Sequence, residues 1–221
     1  MRPFVFINIA ASLDGKISDE SKKQLRISCK RDLERVDRLR ADSDAIMVGI
    51  GTILADNPSL TVKSPELREL RIKGGKVENP MRIVVDSKCR TPLNAKVLDG
   101  KAKTIVAASE KANEKKIEEL KAKGVEVVIF GEEKVDLKGL MNYLHTIGIR
   151  RLMVEGGGTL IRSLIAEKLV DEIYIYYGNI LVGGKASPTI VDGKSFDEPI
   201  KLKLISLEKF GEGILLKSKL V

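Results

Sequence analysis

This sequence predicts an α/β fold with a mostly parallel central sheet flanked by helices, and three observations predict it. Short β-branched runs alternate with amphipathic helical stretches, the order expected when helices cover a parallel sheet. The alternation breaks only at the end, where residues 201–210 and 213–219 are two strand-like runs joined by Gly-Glu-Gly, the pattern of an antiparallel hairpin. Hydrophobic residues make up 43% of 221 positions, enough to bury one sizeable core, so a single domain over 1–221 is expected.

The elements follow in order. Strands are expected at residues 4–10, 45–48, 82–85, 104–107, 125–130, 152–155 and 172–177, ahead of the final pair. A helix is expected at 29–41, with Ser28 as its N-cap and Cys29, Leu33 and Val36 turned to the core at i, i+4, i+7. A short helix should follow the Gly-Ile-Gly-Thr turn after the second strand. Ser109 should open another, ending near Gly124. Asp136 should cap the next, which sets Leu137, Leu140, Met141 and Leu144 on one face and stops at Gly148. His145 beside that stripe is expected to be structural. Leu160, Ile161, Leu164, Ile165 and Leu169 mark the last helix.

Composition excludes several chemistries. One histidine and two cysteines without ligand spacing argue against a metal centre, a disulfide framework and a Ser-His-Asp triad. Thirty-nine basic against 31 acidic residues give a net charge of +8. The lysines are interleaved with glutamates, as in EKANEKKIEELKAKG, which reads as a solvated helix face. No basic patch carries interleaved aromatics, so no nucleic-acid partner is expected. No apolar run is long enough for a membrane span and no secretory signal is visible, which points to a cytoplasmic protein.

Four segments carry candidate chemistry. In LMVEGGGTLIRSL a strand ends at Glu155, Gly156, Gly157 and Gly158 follow, and a helix begins near Thr159. A glycine turn into a helix N-terminus can cradle an anion with backbone N–H groups. In DAIMVGIGTILADNPSLTV, Gly49 and Gly51 give G-x-G without the third glycine of a dinucleotide fingerprint, and Thr52 and Asp56 supply a hydroxyl and a carboxylate. MRIVVDSKCRTPL delivers Asp86, Ser87 and Arg90 into a loop, and Ser with Arg suits a phosphate. INIAASLDGKIS puts Asn8 on an apolar strand, where its amide needs partners, ahead of an Asp14–Lys16 turn. Each segment can also be a plain polar or glycine turn.

Taken in this order, the four segments resemble the reductase domain of riboflavin biosynthesis in its stand-alone archaeal form. NIAASLDGKIS, GTILADNPSLTV, VVDSKCRTP, EGGGTLIRSL and LVGGKASPTIVDG carry the resemblance along nearly the whole chain. It implies a dihydrofolate-reductase-like fold, NADPH as cofactor with NADH as the alternative, and a homodimer. The C-terminal hairpin offers such a dimer an edge. The implied activity reduces the ribosylamino side chain of 2,5-diamino-6-ribosylamino-4(3H)-pyrimidinone 5′-phosphate to the ribitylamino form. The implied cofactor contacts are Thr52, Asp56, Ser87, Arg90, Gly156, Gly157, Gly158 and Thr159. Asn8, Arg40, Leu60, Lys63 and Glu155 fall on the substrate side, Glu155 as the catalytic residue and Arg40, with Lys63 or Arg90, toward phosphates. The loop from Gln24 to Ser28 departs from the bacterial pattern, which has an aromatic residue there. Bacterial relatives also carry a zinc deaminase; these 221 residues hold neither H-x-E nor P-C-x-x-C, so none is expected in them. The competing readings are a dihydrofolate or pterin reductase on the same fold and a non-catalytic basic module that binds nucleic acid.

Overall fold

A computed structural model describes residues 1–23 and 25–221. Gln24, one end of the loop that departs from the bacterial pattern, lies outside the described residues. In chain order the elements are β1 (Phe4–Ser12), α1 (Lys30–Asp42), β2 (Ala45–Gly49), α2 (Ile50–Asp56), α3 (Pro65–Lys73), β3 (Met81–Val85), a 3-10 turn (Lys96–Leu98), β4 (Thr104–Ala108), α4 (Glu114–Ala122), β5 (Glu126–Ile129), α5 (Leu137–Thr146), β6 (Arg151–Val154), α6 (Gly158–Ala166), β7 (Glu172–Gly178), β8 (Leu202–Phe210) and β9 (Gly213–Leu220). The chain forms two compact units, Met1–Pro3 with Asp37–Met153, and Phe4–Val36 with Val154–Val221.

In the first unit β2, β3 and β4 are apolar at nearly every position, as strands covered on both faces must be. They pair in parallel with β5 in the order β5-β4-β3-β2. α5 buries Leu137, Leu140, Met141 and Leu144 as expected, with the Lys138 N–H donating to the Asp136 cap. Gly148, just past its end, holds φ 94, a conformation that suits glycine. The helix expected from Ser109 begins later, at Glu114, with Asn113 as its cap. Ser109 Oγ is committed elsewhere, donating to the carbonyls of Ser87 and Glu133. α3 lies outside the expected elements, although Ser64 caps it and Pro65 opens it, a helix-start signal in the sequence. Its sparse apolar residues give no stripe to find.

In the second unit β1 runs parallel to β7, β7 antiparallel to β9, and β9 antiparallel to β8. The expected terminal hairpin is therefore present. α6 buries Leu160, Ile161, Leu164 and Ile165. The start of α1 differs from expectation. The Leu33 N–H donates to the Cys29 carbonyl, so Cys29 and not Ser28 holds the cap position. Ser28 Oγ instead donates to Asp32 Oδ2 at 2.6 Å. Cys29 is half-buried and Leu33 is 51% exposed, because the inward face of this turn is given to Asp32 and Arg35. A polar network has displaced the apolar stripe. Among the described residues no helix is long and apolar enough to cross a membrane.

Candidate active site

Seven of the residues expected at the site fall in the first unit and six in the second. In the first, β2 runs directly into α2, whose N-cap is Gly49 with no side-chain hydrogen bond. α3, α4 and α5 are each capped by a side chain, from Ser64, Asn113 and Asp136. α2 thus begins with N–H groups that no capping side chain satisfies. Thr52 lies on its first turn, half-buried, and its hydroxyl bonds to none of the described residues. Gly51 sits inside α2 with ordinary φ, and a Cβ there would meet nothing within 4 Å. Neither conformation nor packing demands that glycine. Asp56 closes the helix, and Asn57 follows in the left-handed region at φ 43.

Arg40 and Lys63 come together around Thr61. Arg40 Nη1 donates to the Thr61 carbonyl at 3.1 Å. Lys63 Nζ donates to Ser59 Oγ at 2.6 Å and Thr61 Oγ1 at 3.2 Å. Burial and then the Arg40 charge hold the Lys63 ammonium below the ordinary lysine range. Asp37 opposes that shift, but its two oxygens accept from the backbone N–H groups of Lys63 and Ser64. Leu60 beside them is buried at φ 48, a strained conformation for a γ-branched side chain.

Ser87 and Arg90 belong to a separate loop. Its frame is Asp86, fully buried, whose Oδ2 accepts from the Thr91 N–H and hydroxyl at 2.7 and 2.9 Å. The Cys89 N–H donates to the Asp86 carbonyl, and Cys89 takes φ 50. Burial pushes the Cys89 thiol up to about 11, so this cysteine is no nucleophile. Ser87 Oγ accepts from the Val135 N–H and keeps its own proton to donate. The Arg90 side chain is 56% exposed, its Nε 3.7 Å from Asp86 Oδ1.

In the second unit Glu155 leaves β6 half-buried, and the three glycines turn the chain into α6. Gly156 and Gly157 hold φ 147 and 86. Gly158 is required for another reason: a Cβ there would lie 2.7 Å from both Asp192 Oδ2 and the Thr189 carbonyl. α6 also lacks a side-chain cap, and the Thr159 hydroxyl on its first turn makes no bond to the described residues. Asn8 on β1 is 5% exposed and accepts from Arg35 Nη2 at 2.7 Å. Arg35 and its partner Asp32 are not among the residues expected at the site; their i, i+3 spacing is the signal the sequence offers for them.

The model of the RibD C-terminal domain family matches residues 3–216. The chain belongs to that family. This RibD C-terminal domain is 62% identical over 219 residues to the 2,5-diamino-6-ribosylamino-4(3H)-pyrimidinone 5′-phosphate reductase of Archaeoglobus fulgidus, covering 99% of each chain. Among solved structures it resembles the riboflavin biosynthesis reductase Rib7 of Saccharomyces cerevisiae, with a TM-score of 0.74, 24% identity and coverage of 100% and 90% of the two chains. It also resembles a dihydrofolate reductase of Enterococcus faecalis complexed with NADP(H), with a TM-score of 0.50, 14% identity and coverage of 98% and 95%. At these identities the structural likenesses speak for the fold, which is dihydrofolate-reductase-like as expected.

Proposed function

We propose that this RibD C-terminal domain reduces the ribosylamino side chain of 2,5-diamino-6-ribosylamino-4(3H)-pyrimidinone 5′-phosphate to the ribitylamino form, with NADPH as reductant. The observation that carries the reading is the 62% identity, along 99% of both chains, to the archaeal reductase of that name. Each unit by itself holds donors that suit an anionic group: a helix that begins on an uncapped glycine and an unbonded threonine hydroxyl in each, with a serine hydroxyl and an exposed guanidinium in the first. Thr52, Asp56, Ser87 and Arg90 in the first unit, and Gly156, Gly157, Gly158 and Thr159 in the second, are the proposed contacts. When bound, the nicotinamide supplies a hydride for the opened sugar carbon.

The chain's own residues then bind and orient. Lys63 and Arg40 hold the substrate phosphate, and the strained Leu60 backbone aims that segment. Asn8 and Glu155 hold the pyrimidine and its ribose-derived chain, and Glu155 is the residue proposed to manage protons there. No thiol or imidazole enters the reaction. We further propose a homodimer, supported by the apolar side chains that β8 leaves exposed, among them Leu204 at 56% and Leu207 at 60%.

The test is loss of the reduced-nicotinamide absorbance with the pyrimidine phosphate and, separately, with dihydrofolate. The reading expects turnover with the first alone. Turnover with dihydrofolate alone would favour the pterin reductase, and salt-sensitive RNA or DNA binding without turnover the basic module.

A further inference from the structure

We infer that Arg35 is a positioning residue that presents Asn8 to the substrate as a hydrogen-bond donor. The identity of the ligand rests on the reduction proposed above; the geometry does not. A buried amide ordinarily satisfies both its ends. Asn79 shows the structural case: 5% exposed, it accepts from the Val62 N–H at 2.9 Å and donates to the Lys101 carbonyl at 3.2 Å. Asn8 is equally buried, yet only its oxygen is engaged. Its Nδ2 donates to nothing among the described residues.

The orientation of that amide is dictated by chemistry. A guanidinium has donors and no acceptor, so the end of Asn8 that faces Arg35 is the oxygen. The NH2 group therefore points away from it. Flipping the amide would set donor against donor. Arg35 is itself held. Its Nε donates to Asp32 Oδ1 at 2.8 Å, its Nη2 lies 2.8 Å from the same oxygen, and Ser28 Oγ donates to Asp32 Oδ2 at 2.6 Å. The Asp32 and Arg35 side chains are 1% and 12% exposed. Nη1 is buried with no hydrogen-bond partner among the described residues, so Asp32 and Asn8 are what the fork engages. A lysine ammonium lacks the rigid fork that fixes both acceptors at set angles. Ser28, Asp32, Arg35 and Asn8 thus form a relay that ends in two N–H donors for which the described residues provide no acceptor. A ring carbonyl or ring nitrogen of the pyrimidinone is the acceptor they fit.

The test uses the full chain. Binding of the pyrimidine phosphate is measured by calorimetry without NADPH, both KM values by the absorbance assay, and the Asn8 side-chain amide by 1H–15N NMR. The variants are Asn8→Asp, which keeps an acceptor for Arg35 but removes the donors, Arg35→Lys, and the double variant Asp32→Leu/Arg35→Met. The double variant leaves no charge buried alone, so it keeps the test open if Arg35→Lys folds poorly. Each variant is expected to weaken pyrimidine binding about tenfold, the scale of one lost hydrogen bond, while the KM for NADPH stays unchanged. The Asn8 NH2 pair, assigned by its loss in Asn8→Asp, should shift or double in both Arg35 variants. A purely structural role would move both KM values together or neither. An Asn8 pair indifferent to replacement of Arg35, or wild-type pyrimidine binding by Asn8→Asp, overturns the inference. If the wild type neither binds nor reduces the pyrimidine, the ligand assignment falls with the proposed function. The resonances then still decide whether Arg35 orients Asn8.

Discussion

Lys63 is placed to meet an anionic group. Its ammonium bonds to the hydroxyls of Ser59 and Thr61, while the nearby carboxylate, Asp37, is taken up by two backbone N–H groups. Burial first, and then the charge of Arg40 close by, push the lysine down, while Asp37 pulls it the other way. A phosphate would relieve the repulsion from Arg40. Lys63→Ala should therefore raise the KM for the phosphorylated pyrimidine by about tenfold or more, the scale of a lost charge-assisted hydrogen bond, and leave the dephosphorylated compound little affected. Equal effects on both compounds would remove Lys63 from the phosphate. Glu155 is tested by its isostere. Glu155→Gln keeps the shape and the hydrogen-bonding reach but cannot take up a proton at neutral pH, so turnover should fall at least tenfold with NADPH affinity unchanged. Unchanged turnover would leave Glu155 as a binding residue only.

Two short helices, α2 and α6, differ from the rest in beginning on glycines without a side-chain cap. In α6 the protein itself accounts for the glycines, through two positive φ angles and the close approach of Asp192 to Gly158. In α2 nothing accounts for Gly51. A glycine inside a helix costs about 1 kcal/mol relative to alanine, so Gly51→Ala should raise the denaturation midpoint. If the cofactor passes over this turn, the same methyl group should weaken NADPH binding, measured by fluorescence titration. A variant that is more stable and binds NADPH normally would argue that the turn lies away from the cofactor. The motif itself was legible in the sequence; which of its glycines the fold does not need became visible only with neighbours in place. The same distinction runs through the other elements. Asp136 and the four apolar residues of α5 could be read directly, because cap and stripe are local patterns. The turn at Ser28 could not, since Ser28 spends its hydroxyl on Asp32, and Asp32 is fixed by an arginine that reaches a strand 27 positions away.

At the scale of the molecule, acid stability follows from carboxylates tied to loops. Asp14 accepts from the Ser12 hydroxyl and from the N–H groups of Val182 and Gly183, which holds it down at about 2 against an ordinary 3.8. Hydrogen bonds from Lys103 and Tyr143 likewise hold Glu126 low. A depressed carboxylate contributes fully above its unfolded value and loses that contribution as pH falls through the folded one. Urea midpoints should therefore drop from about pH 4 down toward pH 2, and less steeply in Asp14→Asn. Equal slopes would mean that Asp14 keeps its bonds in the unfolded chain or never makes them.

The remaining expectation, a homodimer, can be argued from the hairpin. In the β8–β9 register Leu202, Leu204 and Leu207 lie opposite Leu220, Ser218 and Leu216, and Lys209 opposite Ile214. Paired residues of an antiparallel ladder share a face, and alternate positions along β9 repeat it. Leu202, Leu204, Leu207, Ile214, Leu216 and Leu220 therefore form one aliphatic surface, with Leu202 45% and Ile214 40% exposed alongside Leu204 and Leu207. Apart from Ser218 the surface holds no polar side chain until Lys209 at its end. A second copy of the chain offers the matching face through a two-fold axis, which buries like against like. Leu204→Lys with Leu207→Lys would place two charges in that contact. Sedimentation velocity should show the wild type at twice the chain mass and the double variant at one, with the far-ultraviolet spectrum unchanged. A wild type that sediments as a single chain would remove the homodimer, and a variant that still pairs would move the contact off this face.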